Sequence, residues 1–272
     1  MGPGTARRRC RLGPQKVLSA IPPRRLGYDG IVSDNRKFTV DQVTGRARDH
    51  VVGVTEPPCT LHDEVVGPLL AMRAAAAADG IDLVPFSSFR DFDRQLAIWN
   101  GKFRGERPMQ DRAGKPLDAL ALTPAERVAA ILWWSALPGT SRHHWGTDVD
   151  VMDAGAVPKG YRLQVVPAEY AAGGPFAKLT TWLDQHMHAY GFFRPYATDR
   201  GGVSPEPWHL SYAPVAGRAL AALTPERLRT VLAAADIEGK EAVLEALPGN
   251  FARYVVNIDA PAESALLAPA LA

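Results

Sequence analysis

Three short stretches of this chain bring together side chains whose types and spacing could do chemistry. The first is Ser87-Ser88-Phe89-Arg90, followed by Gln95. The second is Ser141-Arg142-His143-His144-Trp145-Gly146-Thr147-Asp148-Val149-Asp150. The third is Glu206-Pro207-Trp208-His209. Imidazoles and carboxylates together form the donor set of a catalytic zinc site, which takes three protein ligands and keeps one position open for water. His143 and Asp150 are seven residues apart. On an uninterrupted strand an odd offset sends side chains to opposite faces, but Gly146 between them permits a tight turn, so both can converge. Glu206 and His209 are three apart, and Pro205 and Pro207 exclude a helix interior. That stretch therefore reads as a turn entering a strand. A carboxylate so close to a ligand can serve as the base for a metal-activated water. Residue types alone leave the matter open, because a lone histidine is more often structural or exposed than a ligand.

The order of the three stretches adds weight. The second and third resemble the signature of the D-Ala-D-Ala carboxypeptidase family of zinc peptidases, which includes vancomycin-resistance carboxypeptidases and dipeptidases and some phage endolysins. The family pattern is Ser-x-His, two residues, Gly-x-Ala-x-Asp, and later Glu-x-x-His, often with Trp before the His. Ser141, His143, Gly146 and Asp150 match the first part, and Glu206, Trp208 and His209 the second. Ser87-x-x-Arg90 with Gln95 is similar to the family's Ser-Gly-Tyr-Arg segment, which precedes a Gln. The resemblance spans about residues 62–213. Asp148 departs from it, standing where the family usually has Ala. It adds a carboxylate near Asp150 and could compete as a ligand, although the pattern favours Asp150. Ser88 and Phe89 replace a common Gly and Tyr.

The resemblance implies roles. His143, Asp150 and His209 are expected to bind Zn²⁺, with water in the fourth position. Glu206 is expected to take a proton from that water and deliver it to the leaving amine. Arg90 is expected either to polarise the scissile carbonyl or to clamp a substrate carboxylate, since its fork pairs with oxyanions. Ser141, Gln95, Ser87 and Trp208 are expected at the substrate. The implied fold is α+β, a small antiparallel sheet flanked by helices, of the Hedgehog/D,D-peptidase kind. The implied activity is that of a zinc metallocarboxypeptidase, of D-alanyl-D-alanine or L,D type. It would hydrolyse the C-terminal D-amino-acid bond of peptidoglycan stem peptides. Two alternatives share the site: a lysin-like peptidoglycan endopeptidase, and a Hedgehog-like metal-binding domain without activity. Glu206 and Arg90 count against the second, and the lack of a recognisable wall-binding repeat counts mildly against the first.

The elements that must position these residues are legible in outline. Val65, Leu69, Met72 and Ala76 recur at helical spacing before Gly80. Ile81 to Ser87 reads as a strand, and a helix follows over about Phe92 to Asn100. Residues 101–120 read as a surface loop. Thr123-Pro124-Ala125-Glu126 is a capping box with Pro at the first helical position, opening a helix through Trp134. Asp148 to Asp153 alternates as a half-buried strand does, with Val149 and Val151 inward. Pro175 to Tyr190 reads as a helix stopped by Gly191. Trp208 to Tyr212 reads as a short strand, with helices at 225–235 and 238–247. The expected organisation is an extended basic, Pro/Gly-rich arm over 1–60, a peptidase domain over 61–215 and a helical C-terminal extension over 216–272 packed on the same domain.

Bulk properties set wider bounds. The 272 residues are 46% hydrophobic and 22% charged, ordinary for a globular chain. The net charge of +2 gives no argument for nucleic acid, and no such partner is expected. Cys10 and Cys59 form no disulfide framework or Cys-based metal site. No stretch approaches the roughly 18 apolar residues of a membrane span. A basic beginning without an apolar continuation implies a cytoplasmic protein as written, or a periplasmic or envelope one if translation starts elsewhere. The expected partner is a peptide derived from peptidoglycan, and the oligomeric state stays open. His50, His62, His186 and His188 read as surface residues, with Asp184 and His188 an exposed pair. His144 reads as a support rather than a ligand.

Overall fold

The computed structural model describes Met1 and residues 37–266, so the expected basic arm with Cys10 lies largely outside the described residues. The described residues begin with helix α1 (Val40–Val43), strands β1 (Val51–Val54) and β2 (Cys59–His62), and helix α2 (Asp63–Ala78). Next come β3 (Leu83–Ser87), α3 (Phe92–Phe103), the small strands β4 (Met109–Gln110) and β5 (Pro116–Leu117), and α4 (Pro124–Leu132). Strand β6 (Asp148–Asp153), helix α5 (Ala177–His186), β7 (Phe192–Phe193) and β8 (His209–Tyr212) complete the strand set. The chain then turns helical, with α6 (Ala213–Ala222), α7 (Pro225–Ala234), α8 (Lys240–Glu245), α9 (Leu247–Asn250), a π-helical turn at Phe251–Val255 and α10 (Glu263–Leu266). The fold is α+β.

Its centre is a four-stranded antiparallel sheet in the order β3-β6-β8-β7. Alternation along β6 and β8 divides the sheet into two faces. Val149 and Val151 of β6 and Leu210 and Tyr212 of β8 are buried in the apolar core. Asp148, Asp150, His209 and Ser211 occupy the opposite face. The register pairs Asp148 with Ser211 and Asp150 with His209 across the strands, and Ser87 of β3 pairs with Asp150 from the other side. Helix α2 buries Val65, Leu69, Met72 and Ala76, the stripe that its periodicity predicts.

Two regions differ from the sequence reading. Residues 37–60, expected within an extended arm, are folded. A capping box between Thr39 and Gln42 starts α1, and β1 pairs with β2 as an antiparallel ribbon. Phe38 and Val43 join the core, and the Trp145 indole donates to the Val43 carbonyl at 3.0 Å. These elements are four residues long, too short to register as periodicity. The 101–120 region is likewise not a plain loop. Helix α3 continues to Phe103, and β4 and β5 form a hairpin whose turn is tied by Asp111 Oδ1, accepting from the backbone of Ala113 and Lys115. Among the described residues no helix is long and apolar enough to cross a membrane.

Gly146 joins the two halves of the polar stretch. It ends a 3₁₀ turn over Arg142–Trp145 at φ 69°, in the left-handed region. A Cβ there would lie 2.6 Å from the His62 nitrogen and 2.6 Å from Val51 Cγ1. Gly146→Ala therefore meets both backbone strain and overpacking, together about 2 kcal/mol or more. Thermal unfolding of this variant should show a clear loss of stability, and a wild-type midpoint would mean that β1 and β2 can move aside.

Candidate metal centre

His143 comes from the 3₁₀ turn, Asp150 from β6 and His209 from the start of β8. One ligand atom from each lies within 4.8 Å of the others, and all three residues are buried. His143 Nε2 is 3.3 Å from Asp150 Oδ2, and His209 Nδ1 is 3.0 Å from Asp150 Oδ1. The outward nitrogen of each ring is held. His143 Nδ1 lies 3.0 Å from the Ser88 carbonyl, and His209 Nε2 lies 2.9 Å from Asp148 Oδ1. A carbonyl oxygen can only accept, so Nδ1 of His143 carries the proton and its Nε2 is bare. Donation to Asp148 likewise leaves His209 Nδ1 bare in the neutral ring.

This arrangement passes a simple test of fit for a metal. Asp150 Oδ1 is buried without a hydrogen-bond partner, and a bare imidazole nitrogen faces it. Two acceptors at that distance need a cation between them. Without a metal the cation is a proton: burial pulls His209 down, but the Asp148 and Asp150 carboxylates on either side of its ring outweigh this and lift it to about 10. Asp150, although buried, stays well below the usual carboxylate range because His143 and His209 face it. Two nitrogens and one carboxylate, each imidazole oriented from behind, form the donor set of a catalytic zinc site.

Asp148 does not join the three. It is fully buried behind His209, and its carboxylate takes hydrogen bonds from Arg142 Nε at 2.8 Å, from Thr147 Oγ1 and from Ser211 Oγ at 3.2 Å. The sequence reading put Asp148 on the same strand face as Asp150, and it lies there. Its carboxylate is occupied by these partners and by the His209 ring, and it is not one of the three groups whose donor atoms converge. Arg142 is itself buried, its guanidinium held by Asp148 and by Ser211 at 2.6 Å.

Glu206 lies beside the three, with Oε2 at 3.5 Å from His209 Nδ1. Burial, with Asp150 nearby, pushes its carboxyl up to about 7 against the pull of His209, Arg90 and Lys102. The backbone of Glu206 donates to the Tyr196 carbonyl, and that of His209 donates back to Glu206, closing the turn that Pro205 and Pro207 predict. Trp208 packs on Tyr170 at 5.7 Å between ring centres and also lines the cavity in front of the metal ligands. It is core aromatic and cavity wall at once.

That cavity has a volume of about 350 Å³. Arg90, Ser141, His143, Asp150, Glu206 and His209 line it. Gln95 is not among its lining residues, and Ser87 lines a neighbouring cleft together with Arg90 and Asp150. Gln95 is fully buried: its Oε1 accepts from Arg90 Nη1 at 2.9 Å and its Nε2 donates to the Ala136 carbonyl at 2.7 Å. Ser87 Oγ accepts from Arg90 Nη2 at 3.2 Å. Both residues therefore aim the arginine. His144 is buried and braces the same segment, its Nδ1 donating to the Arg90 carbonyl at 2.6 Å while Nε2 accepts from the Gly139 amide. Burial holds its pKa down, to about 3.

Other histidines depart from the surface expectation. The His50 side chain is almost wholly covered, its Nε2 against the His144 carbonyl at 2.9 Å. His62 caps α2 by accepting from the Glu64 amide. Asp184 pairs with Arg194 rather than with His188.

Sequence reasoning missed several lining residues. Lys102, Ser135 and Tyr196 sit in the cavity wall, as do Asn250, Phe251 and Tyr254. Lys102 is seven residues beyond Gln95 on α3, a helical repeat that could have flagged it. Nothing in the sequence pattern links Asn250, Phe251 or Tyr254 to the site.

With this geometry described, comparison with known proteins gives the family. The model of the family described as VanY, D-alanyl-D-alanine carboxypeptidase, matches residues 58–215. The chain belongs to the VanY D-alanyl-D-alanine carboxypeptidase family, a family of peptidoglycan carboxypeptidases. It is 43% identical over 104 residues to an uncharacterized protein of Haemophilus influenzae, a match covering 37% of this chain and 71% of that one. It is 30% identical over 141 residues to a D-alanyl-D-alanine carboxypeptidase of Enterococcus faecalis, covering 51% of this chain and 42% of that one. Among solved structures, VanYB in complex with D-alanine-D-alanine is similar at 24% identity and a TM-score of 0.45, covering 63% of this chain and 81% of that one.

The roles assigned to the two aspartates are separable. Asp150→Ala should abolish binding of added Zn²⁺, whereas Asp148→Asn should weaken it by about 10–100-fold, because the ring of His209 loses its anchor but no donor atom goes missing. Competition against a chromophoric chelator reads both. Equal loss in the two variants would put Asp148 in the ligand set.

Proposed function

We propose that this chain is a zinc metallocarboxypeptidase that removes the C-terminal D-amino acid from peptidoglycan stem peptides. The observation that carries the reading is the convergence of His143, Asp150 and His209 on one cavity. There Glu206 and the anchored guanidinium of Arg90 join them. Family membership supports the substrate class.

Zinc held by these three residues would supply Lewis acidity and bring a water's pKa to about 7. The rest of the work falls to the chain's own groups. Glu206, at the edge of the donor set and with its carboxyl raised toward neutrality, accepts the proton of the attacking water and returns it to the leaving amine. Arg90 reaches the same cavity with its fork fixed by Gln95 and Ser87. A fixed guanidinium lowers the barrier by meeting negative charge on the scissile carbonyl oxygen without first having to reorganise. Ser141 is buried, lines the cavity and is suited to a hydrogen bond with the substrate backbone. Arg142 and Asp148 act behind His209, not on substrate.

The test is direct. Incubated with a stem pentapeptide ending in D-Ala-D-Ala, the zinc-loaded protein should release one terminal D-alanine, read by mass. Glu206→Gln should keep zinc and fold while turnover falls about 10²–10⁴-fold. Internal fragments in place of terminal D-alanine would replace the carboxypeptidase reading with an endopeptidase one. Turnover within a few-fold of wild type in Glu206→Gln would remove Glu206 as the base.

A further inference from the structure

The cavity in front of the metal ligands contains a cation that the activity described above does not use. Lys102 lies on α3, outside every motif of the sequence, and lines the same 350 Å³ space as His143, Asp150, Glu206 and His209. The other inward cations have tasks or partners of their own, Arg90 being assigned to the scissile carbonyl and Arg142 being ion-paired with Asp148. Arg90 is held by Gln95 and Ser87, and Arg142 by Asp148 and Ser211. Lys102 Nζ donates to Ser135 Oγ at 2.6 Å, and among the described residues no carboxylate pairs with it. An ammonium has three protons to donate, so two remain for something that enters the cavity. Burial lowers its pKa to about 8, with Glu206 the chief charge opposing that shift. A partly buried ammonium without a counter-ion gains most when an anion arrives beside it.

Resting on the carboxypeptidase reading, we propose that Lys102, with Ser135 beside it, receives the free carboxylate of the substrate's C-terminal residue and sets the preference for cleavage at a chain end. The placement follows from the chemistry of the leaving group. Glu206 must return a proton to the amine of the departing amino acid. The amine and the carboxylate of that amino acid share one Cα, so the carboxylate comes to rest about one residue length, roughly 3.5 Å, from the amine. A cation neighbouring Glu206 is where that charge finds a partner. Arg90 then remains free for the scissile carbonyl, which resolves the two tasks that one guanidinium seemed to face. Arg107 also lines the cavity, but its exposed side chain leaves an anion in competition with water.

The test compares zinc-loaded wild type with Lys102→Met on two matched stem pentapeptides, one ending in a free D-alanine and one in its amide. KM and kcat are measured separately, with zinc content and melting temperature as controls. Wild type should prefer the free acid. In Lys102→Met that preference should fall about tenfold to a hundredfold, chiefly through a higher KM for the free acid. Lys102→Gln, which keeps a donor for Ser135, gives the same reading if Lys102→Met does not fold, and Lys102→Arg should retain most of the preference. An unchanged preference would overturn the proposal. So would a parallel fall for both peptides with a shifted pH profile, which would make Lys102 a neighbour that tunes Glu206. Wild type that cleaves neither peptide would instead sink the peptidase reading beneath it. Wild type with a strong preference that the variants keep would sink this inference alone.

Discussion

The site depends on one buried carboxylate. Asp148 sits under the sheet's polar face and accepts from His209, Arg142, Thr147 and Ser211. A carboxylate removed from water is tolerated only when its charge is matched and its lone pairs are filled, and these four donors do both. In return it fixes which nitrogen of His209 points at Asp150. The Ser88 carbonyl does the same for His143. Two imidazoles oriented from behind and one carboxylate between them give a donor set that is arranged before any metal arrives. Sheet register maintains it. A slip of one residue of β8 against β6 would carry His209 and Ser211 to the core side, away from Asp148 and Asp150, and turn Leu210 out of the core, so the hydrophobic core and the candidate metal centre enforce the same pairing.

This coupling explains what the sequence could reveal. His143, Asp150, Glu206 and His209 stood out in the sequence because a zinc peptidase would require those residue types, and Gly146 was legible because the turn between them requires a left-handed residue. The strands were legible because alternation on β6 separates Val149 and Val151 from the aspartates. Gln95 and Ser87 were visible as members of a motif, but their task was not. Only the geometry reveals that the Gln95 amide joins Arg90 to a backbone carbonyl and that the Ser87 hydroxyl accepts from Arg90. Residues 37–60 failed for a different reason: a four-residue helix and four-residue strands carry no period, and their stability comes from packing Phe38 and Val43 against the core and tying Val43 to Trp145.

The C-terminal helices add something that local motifs do not contain. The family match ends at residue 215, yet Leu247, Asn250, Phe251, Tyr254 and Val255 line the cavity together with His143, Asp150 and His209. Their position depends on long-range packing, in which Leu228, Leu232 and Leu247 enter the common core and the Trp99 indole donates to the Glu238 carbonyl at 3.1 Å. The candidate metal centre is thus built from the central sheet and its turns, while part of the cavity wall comes from a segment beyond them. The candidate donor set lies wholly within the family-matched segment, whereas the cavity wall is shared between that segment and the C-terminal helices.

The central claim is that the donor set is preorganised, with Nε2 of His143, a carboxylate oxygen of Asp150 and Nδ1 of His209 facing one point. An anomalous difference map from a zinc-soaked crystal, recorded on both sides of the zinc absorption edge, tests it most directly. The account predicts a single peak about 2.0–2.2 Å from those three atoms, with His143 Nδ1 still against the Ser88 carbonyl and His209 Nε2 still against Asp148. A peak coordinated by Asp148, by the opposite nitrogen of either ring, or at a position away from these residues would contradict it.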